Sequence, residues 1–428
     1  MRRTFPAALA LAAATLFAAT LPGAPAAPRP RPSGSLSGEV LGPDGKAVAG
    51  ARVFLQLSDA RRPRTTQTDA QGHFRFASLR QGNYDLRAQA RGRWSDWEHN
   101  MLVRAGRETR VTLRLLLKQP PADKPAPAAL EGRVREWTVP AENSLPHDPA
   151  VDPQGNIWLT LMRANRMARL NPDTGEWKLF PIPTPNSGPH GLVADAEGNI
   201  WFTENSVGKI GRVDARTGEV TEYAAPTAQD PHTPVFGPDG ALWFTAQRSN
   251  LVVRMDTKTG AMREFRVPTP NARPYGIVVG PDGALWFCEF GVNNLARLDP
   301  QTGAITEYQT LQADARPRRL VVVGNAIYYS DFRGGRLGRF DLAAKSFQDW
   351  PSPSGAESQP YGIVADAAGN LWYNEFAANQ LVRFNPETQT FQRFALPSAR
   401  SEVRHMARDA RGRVWMALSG ANKVAVVE

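Results

Sequence analysis

Four of the six histidines in this chain occupy one equivalent position of a repeated segment. They are His147, His190, His232 and His405, and each stands near the start of a strand-like segment such as "PHGLV". The corresponding residues of the other copies are Tyr275, Arg319 and Tyr361. Imidazoles that converge can act as metal ligands, general bases or part of an anion site.

A second position, fourteen residues later in most copies, carries a carboxylate in four of them. A tight hairpin returns this position to the same rim as the histidines. The predicted catalytic residues are His405, His190, His147, His232 and Glu204. The predicted substrate-binding residues are Arg319, Tyr275, Tyr361, Glu289, Asp331 and Glu375. The alternative is that these side chains only tie neighbouring repeats together, for example as a local pair of Arg319 with Asp331.

The repeat itself predicts the architecture. Aromatic markers return about every 43 residues at Trp158, Trp201, Trp243, Trp286, Tyr329, Trp372 and Trp415. Each copy reads as four short strands with turn residues between them, which is typical of a propeller blade. The seventh copy lacks a fourth strand, and "EGRVREWTVP" (131–140) matches the missing one. We therefore predict an all-β fold, a seven-bladed β-propeller over 130–428 whose last blade is closed by the start of the domain.

Composition limits the partners and the chemistry. The formal net charge is +10 at pH 7, but the basic residues are scattered and no nucleic-acid motif is present, so nucleic acid is an unexpected partner. The only cysteine, Cys288, lies in an apolar strand and is expected to be a buried small residue rather than a nucleophile. A single cysteine also excludes an intramolecular disulfide.

Three further segments precede the repeats. Residues 1–26 carry Arg2 and Arg3, an apolar stretch and small residues, which indicates a signal peptide and a secreted or periplasmic protein without a transmembrane segment. Residues 34–118 alternate apolar and polar residues between turns and predict a small β-sandwich. The marks "PDGKAVAGARV" and "TDAQGHFRF" make this unit resemble the carboxypeptidase regulatory-like, transthyretin-like domain. The proline-rich linker spans 119–129.

The repeats resemble another family. Segments such as "PHGLVADAEGNIWFTENSVGKIGRVD" are similar to streptogramin B (virginiamycin B) lyase over 130–428. The resemblance implies a seven-bladed propeller that opens a cyclic depsipeptide by magnesium-dependent elimination, with His405 as the base. It also implies a divalent cation, Mg²⁺, as cofactor. Three positions depart from the family pattern: Val403 and Ser419 stand in place of acids, and Tyr361 stands in place of a histidine.

These departures leave alternatives open. The chemistry could have moved to blades 1 to 3, with His190 or His405 as the base and Arg319 or a metal stabilising negative charge. The first hypothesis is an exported lyase or hydrolase acting on an ester, lactone or polyuronide-like anion. The alternative is a non-catalytic ligand-binding or sensing propeller, docked through the sandwich domain to a partner in the cell envelope. A gluconolactonase-type enzyme is the third, suggested only by Glu204 with Asn205.

Overall fold

The computed structural model describes residues 33–57, 64–80, 82–95, 98–104, 106–115 and 134–428. The predicted signal peptide and the predicted linker lie outside these residues. The chain divides into two compact units, Met1–Lys118 and Gln119–Glu428. Among the described residues, no helix has the length and apolar character needed to cross a membrane.

The first unit consists of two small sheets. The strands are β1 (Gly34–Leu41), β2 (Arg52–Leu57), β3 (Arg64–Gln67), β4 (His73–Leu79), β5 (Gly82–Ala90), β6 (Arg93–Trp94), β7 (Glu98–Val103) and β8 (Glu108–Arg114). One sheet has the order β4-β1-β8 and the other β3-β2-β5-β6, with β7 also paired to β5. Alternating side chains such as Leu36, Val53, Phe74 and Leu86 are buried in a common core, which confirms the predicted sandwich.

The second unit consists of seven four-stranded antiparallel sheets, numbered here as blades 1 to 7. Blades 1 to 3 contain β10 (Pro146–Val151), β11 (Ile157–Leu161), β12 (Arg166–Leu170), β13 (Trp177–Pro181); β14 (Pro189–Ala194), β15 (Ile200–Glu204), β16 (Lys209–Val213), β17 (Val220–Ala224); and β18 (Pro231–Phe236), β19 (Leu242–Ala246), β20 (Leu251–Met255), β21 (Met262–Arg266).

Blades 4 to 6 contain β22 (Pro274–Val279), β23 (Leu285–Glu289), β24 (Asn294–Leu298), β25 (Ile305–Gln309); β26 (Pro317–Val323), β27 (Ala326–Asp331), β28 (Arg336–Asp341), β29 (Ser346–Pro351); and β30 (Pro360–Ala365), β31 (Leu371–Glu375), β32 (Gln380–Asn385), β33 (Thr390–Ala395), with a 3₁₀ turn at Ala356–Ser358. Blade 7 contains β34 (Val403–Arg408), β35 (Val414–Leu418), β36 (Lys423–Val427) and β9 (Val134–Thr138).

The ring closes as the sequence predicts. Strand β9 pairs with β36, with Thr138 opposite Lys423, and so supplies the outer strand of the last blade. The first strand of every blade contacts the first strand of the next, and β34 contacts β10. These seven strands therefore surround the centre of the ring, and the end at which they begin is called the channel mouth below.

Each tryptophan marker is held by its own hairpin. In blade 1 the indole N–H of Trp158 donates to Asp152 at 2.8 Å, and Trp201 donates likewise to Asp195 at 3.0 Å. The predicted marker of blade 5 was wrong by one residue. Tyr328, not Tyr329, is equivalent to the tryptophans, because it pairs with Val321 as Trp201 pairs with Val193. The hairpin between the first two strands of blade 5 is shorter, so fewer residues separate the start of the first strand from the aromatic marker.

A β-bulge at the start of every first strand decides what faces the channel mouth. In blade 2, Pro189 pairs with Glu204 and Leu192 with Phe202, so His190 and Gly191 together oppose one residue. The first bulge position holds, in blade order, His147, His190, His232, Tyr275, Arg318, Tyr361 and Arg404. The second holds Asp148, Gly191, Thr233, Gly276, Arg319, Gly362 and His405.

This register corrects the sequence analysis. Three histidines, not four, occupy the equivalent position, because Arg404 stands there in blade 7 and His405 follows it. In blade 5 the equivalent residue is Arg318, and Arg319 occupies the second position.

Candidate functional site

In five of the seven blades a hydroxyl on the second strand donates to a carbonyl of the next blade's first strand. In blade 2, Thr203 Oγ1 accepts the N–H of Gly191 at 2.9 Å and donates to the carbonyl of His232 at 2.8 Å. Thr160 makes the same tie to the carbonyl of His190 at 2.6 Å. Because the next blade's histidine is held by its backbone, neighbouring imidazoles are set side by side.

The imidazoles of blades 1 to 3 form a continuous row, in which neighbouring rings are tilted by 43° and 45°. The ring centroids of His147 and His190 are 3.9 Å apart, and those of His190 and His232 are also 3.9 Å apart. Tyr275 continues the stack, 4.1 Å from His232, and its hydroxyl is hydrogen-bonded to that of Tyr361. The three histidines, here called the imidazole stack, are 3–5% exposed. The predicted convergence of these rings is therefore present.

A buried ion pair crosses the ring beside the stack. Arg319 Nη2 donates to both oxygens of Asp148, at 3.2 and 3.1 Å, and both side chains are 1% exposed. Asp148 also contacts His147 Nδ1 at 2.8 Å, and Arg319 Nη1 donates to Thr233 Oγ1 at 3.1 Å. Sequence reasoning missed Asp148, although "PHDP" in blade 1 is the one copy with an acid directly after the histidine.

The expected local pair of Arg319 with Asp331 does not form. Asp331 instead accepts the backbone N–H groups of Arg316 and Gly334, at 2.8 and 3.0 Å. The reason is the register, which places Asp331 opposite Pro317 at the rim and directs Arg319 across the ring.

Electrostatics keep the imidazoles neutral at pH 7. Burial lowers the pKa of His147, and lowers that of His190 and His232 well below the ordinary value. Burial and the charge of Arg319 lower the pKa of His405 to about 3. Burial alone would raise the pKa of Asp148, but Arg319 holds it well below its usual range, so this aspartate is ionised.

His405 differs from the imidazole stack in its access. It is half-buried, whereas the other three rings are almost entirely buried. The Nδ1 atoms of His405 and His190 are buried and lack a hydrogen-bond partner within the described residues. A nitrogen without a partner is free to accept a proton from a ligand.

The other half of the mouth is aromatic and cationic. Arg318 lies among the rings of Tyr275, Phe290, Phe332 and Tyr361, which we call the aromatic cage. Sequence reasoning missed the phenylalanines. The available signal was that Phe290, Phe332 and Phe376 each directly follow a rim carboxylate in blades 4 to 6.

Three of the four rim carboxylates are hydrogen-bonded to other groups, and both oxygens of Glu204 are buried without a partner among the described residues. Glu375 accepts from the Ser352 hydroxyl at 2.6 Å and the Ser354 N–H at 2.9 Å, and Glu289 accepts from Asn294 at 2.9 Å. Burial raises the pKa of Glu289 to about 8, and burial together with Glu222 raises that of Glu204 to about 8. Within 134–428, where every residue is described, none of the four hydrogen-bonds a histidine. The structure thus does not bring Glu204, Glu289, Asp331 and Glu375 together with the imidazole stack.

Replacing Glu204 with glutamine should stabilise the protein at pH 8 and have little effect at pH 5. The folded-state pKa lies above the unfolded value, so stability falls as pH rises between about 4.3 and 8, and glutamine removes this loss. We expect a gain on the order of 2 kcal/mol at pH 8. Denaturant unfolding at both pH values measures it. Glu222→Gln is the matched control and should destabilise, because Thr184 and Lys209 bind that carboxylate. An equal effect of Glu204→Gln at both pH values would contradict the argument.

The residues at the mouth do not fit a magnesium ion. Val403 is buried and apolar, and the Ser419 hydroxyl donates to the carbonyl of Pro146 at 2.6 Å. Ligand atoms of His147, Asp148 and His190 lie within 4.8 Å of one another, but both Asp148 oxygens are already held by Arg319. Magnesium requires several oxygen ligands, and a guanidinium at this point repels it.

Comparisons with known proteins agree with the architecture. The chain matches the virginiamycin B lyase family over 122–353 and 230–428, and the carboxypeptidase regulatory-like domain over 35–116. A search of curated proteins gives no significant match. Among solved structures, a streptogramin B lyase is 27% identical with a TM-score of 0.65, over 69% of this chain and 97% of the other.

Two further structures are similar to the chain. The selenomethionine-substituted virginiamycin B lyase from Staphylococcus aureus is 27% identical with a TM-score of 0.65, over 69% of this chain and 99% of the other. A catalytically inactive histidine-to-alanine variant of the S. aureus enzyme, with quinupristin, is 25% identical with a TM-score of 0.63, over 69% and 98%.

Proposed function

Since this chain belongs to the virginiamycin B lyase family, we propose that it is an exported lyase that opens an ester or lactone in an anionic substrate at the channel mouth. The observation that carries the proposal is His405, a neutral and half-buried imidazole with an unpartnered Nδ1 atom. It stands directly after Arg404 and within the field of Arg319. A base beside fixed positive charge is what an elimination next to a carbonyl requires.

The proposed reaction balances without a metal. His405 takes a proton from the carbon next to a carbonyl group, and the electron pair of that C–H bond forms a carbon–carbon double bond. The C–O bond at the neighbouring carbon then breaks, and the ester oxygen leaves as part of a carboxylate. Negative charge develops first on the carbonyl oxygen and then on the leaving group. The guanidinium groups at the mouth stabilise it in both places.

The test is turnover of cyclic and linear esters followed by mass spectrometry. Quinupristin is included, because the S. aureus structure was solved with it. Linear esters with the acyloxy group one carbon beyond the acidic C–H, and a polyuronide, complete the panel. Elimination opens a ring with no change in mass, whereas hydrolysis adds one water. A ring-opened product of unchanged mass supports the proposal, and a product that has gained water replaces it with a hydrolase.

A second candidate is a non-catalytic ligand-binding or sensing propeller in the cell envelope. It is favoured by the imidazole stack, whose rings are 3–5% exposed and pack on one another as a wall. The first unit would then dock the propeller to an envelope partner. Saturable binding of panel members with unchanged ligand recovered would support this candidate.

The proposal that the protein is exported rests on residues 1–26, and it is tested by fractionation of cells that express the full chain.

A further inference from the structure

Arg318 is a buried cation whose surroundings are aromatic. It is 6% exposed, and its guanidinium carbon lies 3.9 Å from the ring centre of Tyr361 and 4.1 Å from that of Phe332. Phe290 and Tyr275 complete the cage at 4.7 and 5.1 Å. Such rings attract a cation through their faces, and most strongly when water is excluded.

The cage does not neutralise the charge. Removing a cation from water is unfavourable even after the protein relaxes, and a counter-ion normally offsets that cost. Arg319, the next residue, has Asp148 as its counter-ion. Among the described residues, the guanidinium group of Arg318 has neither an ion pair nor a hydrogen bond, and its buried Nε lacks a partner. The two neighbouring arginines therefore differ: Arg318 is available to an anion, whereas Arg319 is already paired with Asp148.

A second guanidinium extends the positive charge along the rim. Arg404 is 5% exposed and lies over Phe376 at 5.3 Å, and Phe376 is 5.8 Å from Tyr361 of the cage. Its contact with Glu402 is at 3.4 Å, at the long end of hydrogen-bond distances. The charge of Arg318 also reaches the imidazole stack: burial and Arg319 are the main causes of the lowered pKa of His232, and Arg318 adds to them.

We propose that Arg318, inside its aromatic cage, is the subsite that binds a carboxylate group of the ligand. This deepens the proposed function and rests on it only in taking the channel mouth as the place where the substrate enters. A guanidinium presents two parallel N–H groups that match a carboxylate. The surrounding rings pack against the apolar part of the molecule that carries it.

Occupation of the subsite has an electrostatic consequence. A bound carboxylate offsets the charge of Arg318, which removes one cause of the low proton affinity of His232. Any proton uptake that accompanies carboxylate binding should therefore be weakened or absent when Arg318 carries no charge. Calorimetric titrations in two buffers of different ionisation enthalpy measure the protons taken up.

The test compares benzoate with benzamide, which have the same shape and differ in charge. Both are titrated by calorimetry into the full chain, the Arg318→Met and Arg318→Lys variants, and the control Arg254→Met. Arg254 lies on the exterior, paired with Asp239 at 2.6 Å. We expect the wild type and Arg254→Met to bind benzoate at least 10-fold more tightly than benzamide, and Arg318→Met to lose this preference. Arg318→Lys should retain part of it, since lysine keeps the charge without the paired donors.

The outcomes separate this inference from the proposed function. Equal binding of benzoate and benzamide by the wild type, no binding of either, or unchanged preference in Arg318→Met would overturn the subsite. Unfolding of Arg318→Met is detected by near-ultraviolet circular dichroism of the tryptophans, and Arg318→Lys then decides the question. His405→Ala should keep the benzoate preference within about 2-fold, because it lies outside the cage. If the preference is present but no ester is eliminated, the subsite stands and the lyase proposal fails.

Discussion

Replacing His405 with alanine should lower kcat for ester elimination by roughly 10²–10⁴-fold, the usual contribution of a positioned general base. The fold should survive, because the ring is half-buried and its Nδ1 makes no hydrogen bond. His73→Ala is the matched control, since His73 is 62% exposed and belongs to the first unit, whereas the residues of the channel mouth belong to the second. The measurement is the initial rate of elimination with an ester that the wild type turns over, together with the thermal unfolding midpoint of each variant.

The pH profile provides a second and independent readout. A base must be unprotonated, and the pKa of His405 is about 3 rather than the ordinary 6.5. Because kcat/KM reports groups of the free enzyme, it should stay flat from pH 8 to pH 5. An anionic substrate offsets the nearby guanidinium charge and raises the pKa in the complex, so the acid limb of kcat should lie at higher pH than that of kcat/KM. A kcat/KM that halves near pH 6.5, or full turnover by His405→Ala, would remove His405 from the reaction.

His190 is the alternative base at this site. Its Nδ1 is also unpartnered, but its ring is stacked on both faces and 5% exposed. A substrate could reach it only after the stack opens, whereas the ring of His405 is partly exposed. We therefore expect His190→Asn to change the stability of the protein more than its kcat.

The fold could be predicted because the same pattern of strands and turns occurs seven times in the sequence. Seven copies of one aromatic strand, each with its own turns, leave few alternatives, and the spare strand at 131–140 identifies the closing blade. The fine register was harder, since a one-residue change in a hairpin moves the residue that faces the mouth. Arg404 lies eleven residues before Trp415, the same spacing as His147 to Trp158, so counting back from the tryptophan gives the register that counting along the strand missed.

The partners within the site could not be read from local sequence. Asp148 and Arg319 are 171 residues apart and meet only because blades 1 and 5 face the same channel. Sequence position placed the rim carboxylates near the histidines, but the side chain of Glu375, for example, is bound by Ser352 and Ser354 in the loop before its blade. Strand pairing places a backbone, and the hydrogen-bonding groups of the next blade decide where its side chain points.

The Asp148–Arg319 pair gives the largest expected effect on stability. Asp148→Asn keeps the size of the side chain but leaves Arg319 charged and unpaired at 1% exposure. Breaking a buried pair from one side costs about 3–5 kcal/mol, most of it the desolvation of the remaining charge. Arg319→Met should lower the free energy of unfolding by a similar amount, since it leaves the buried Asp148 carboxylate without its partner. Denaturant unfolding of the full chain at pH 7, followed by tryptophan fluorescence, measures these differences.

Two comparisons decide whether charge is the cause. Arg254→Met makes the same substitution in an exterior pair with 33% and 29% exposed side chains, and should cost no more than about 1 kcal/mol. The double variant Asp148→Asn/Arg319→Met contains neither buried charge, so it should be more stable than either single variant. Additive losses in the double variant would mean that packing around Arg319 dominates. A loss below about 1 kcal/mol for Asp148→Asn would mean that water or another group compensates the guanidinium, and the mouth would then be more open to solvent than a 1% exposed ion pair implies.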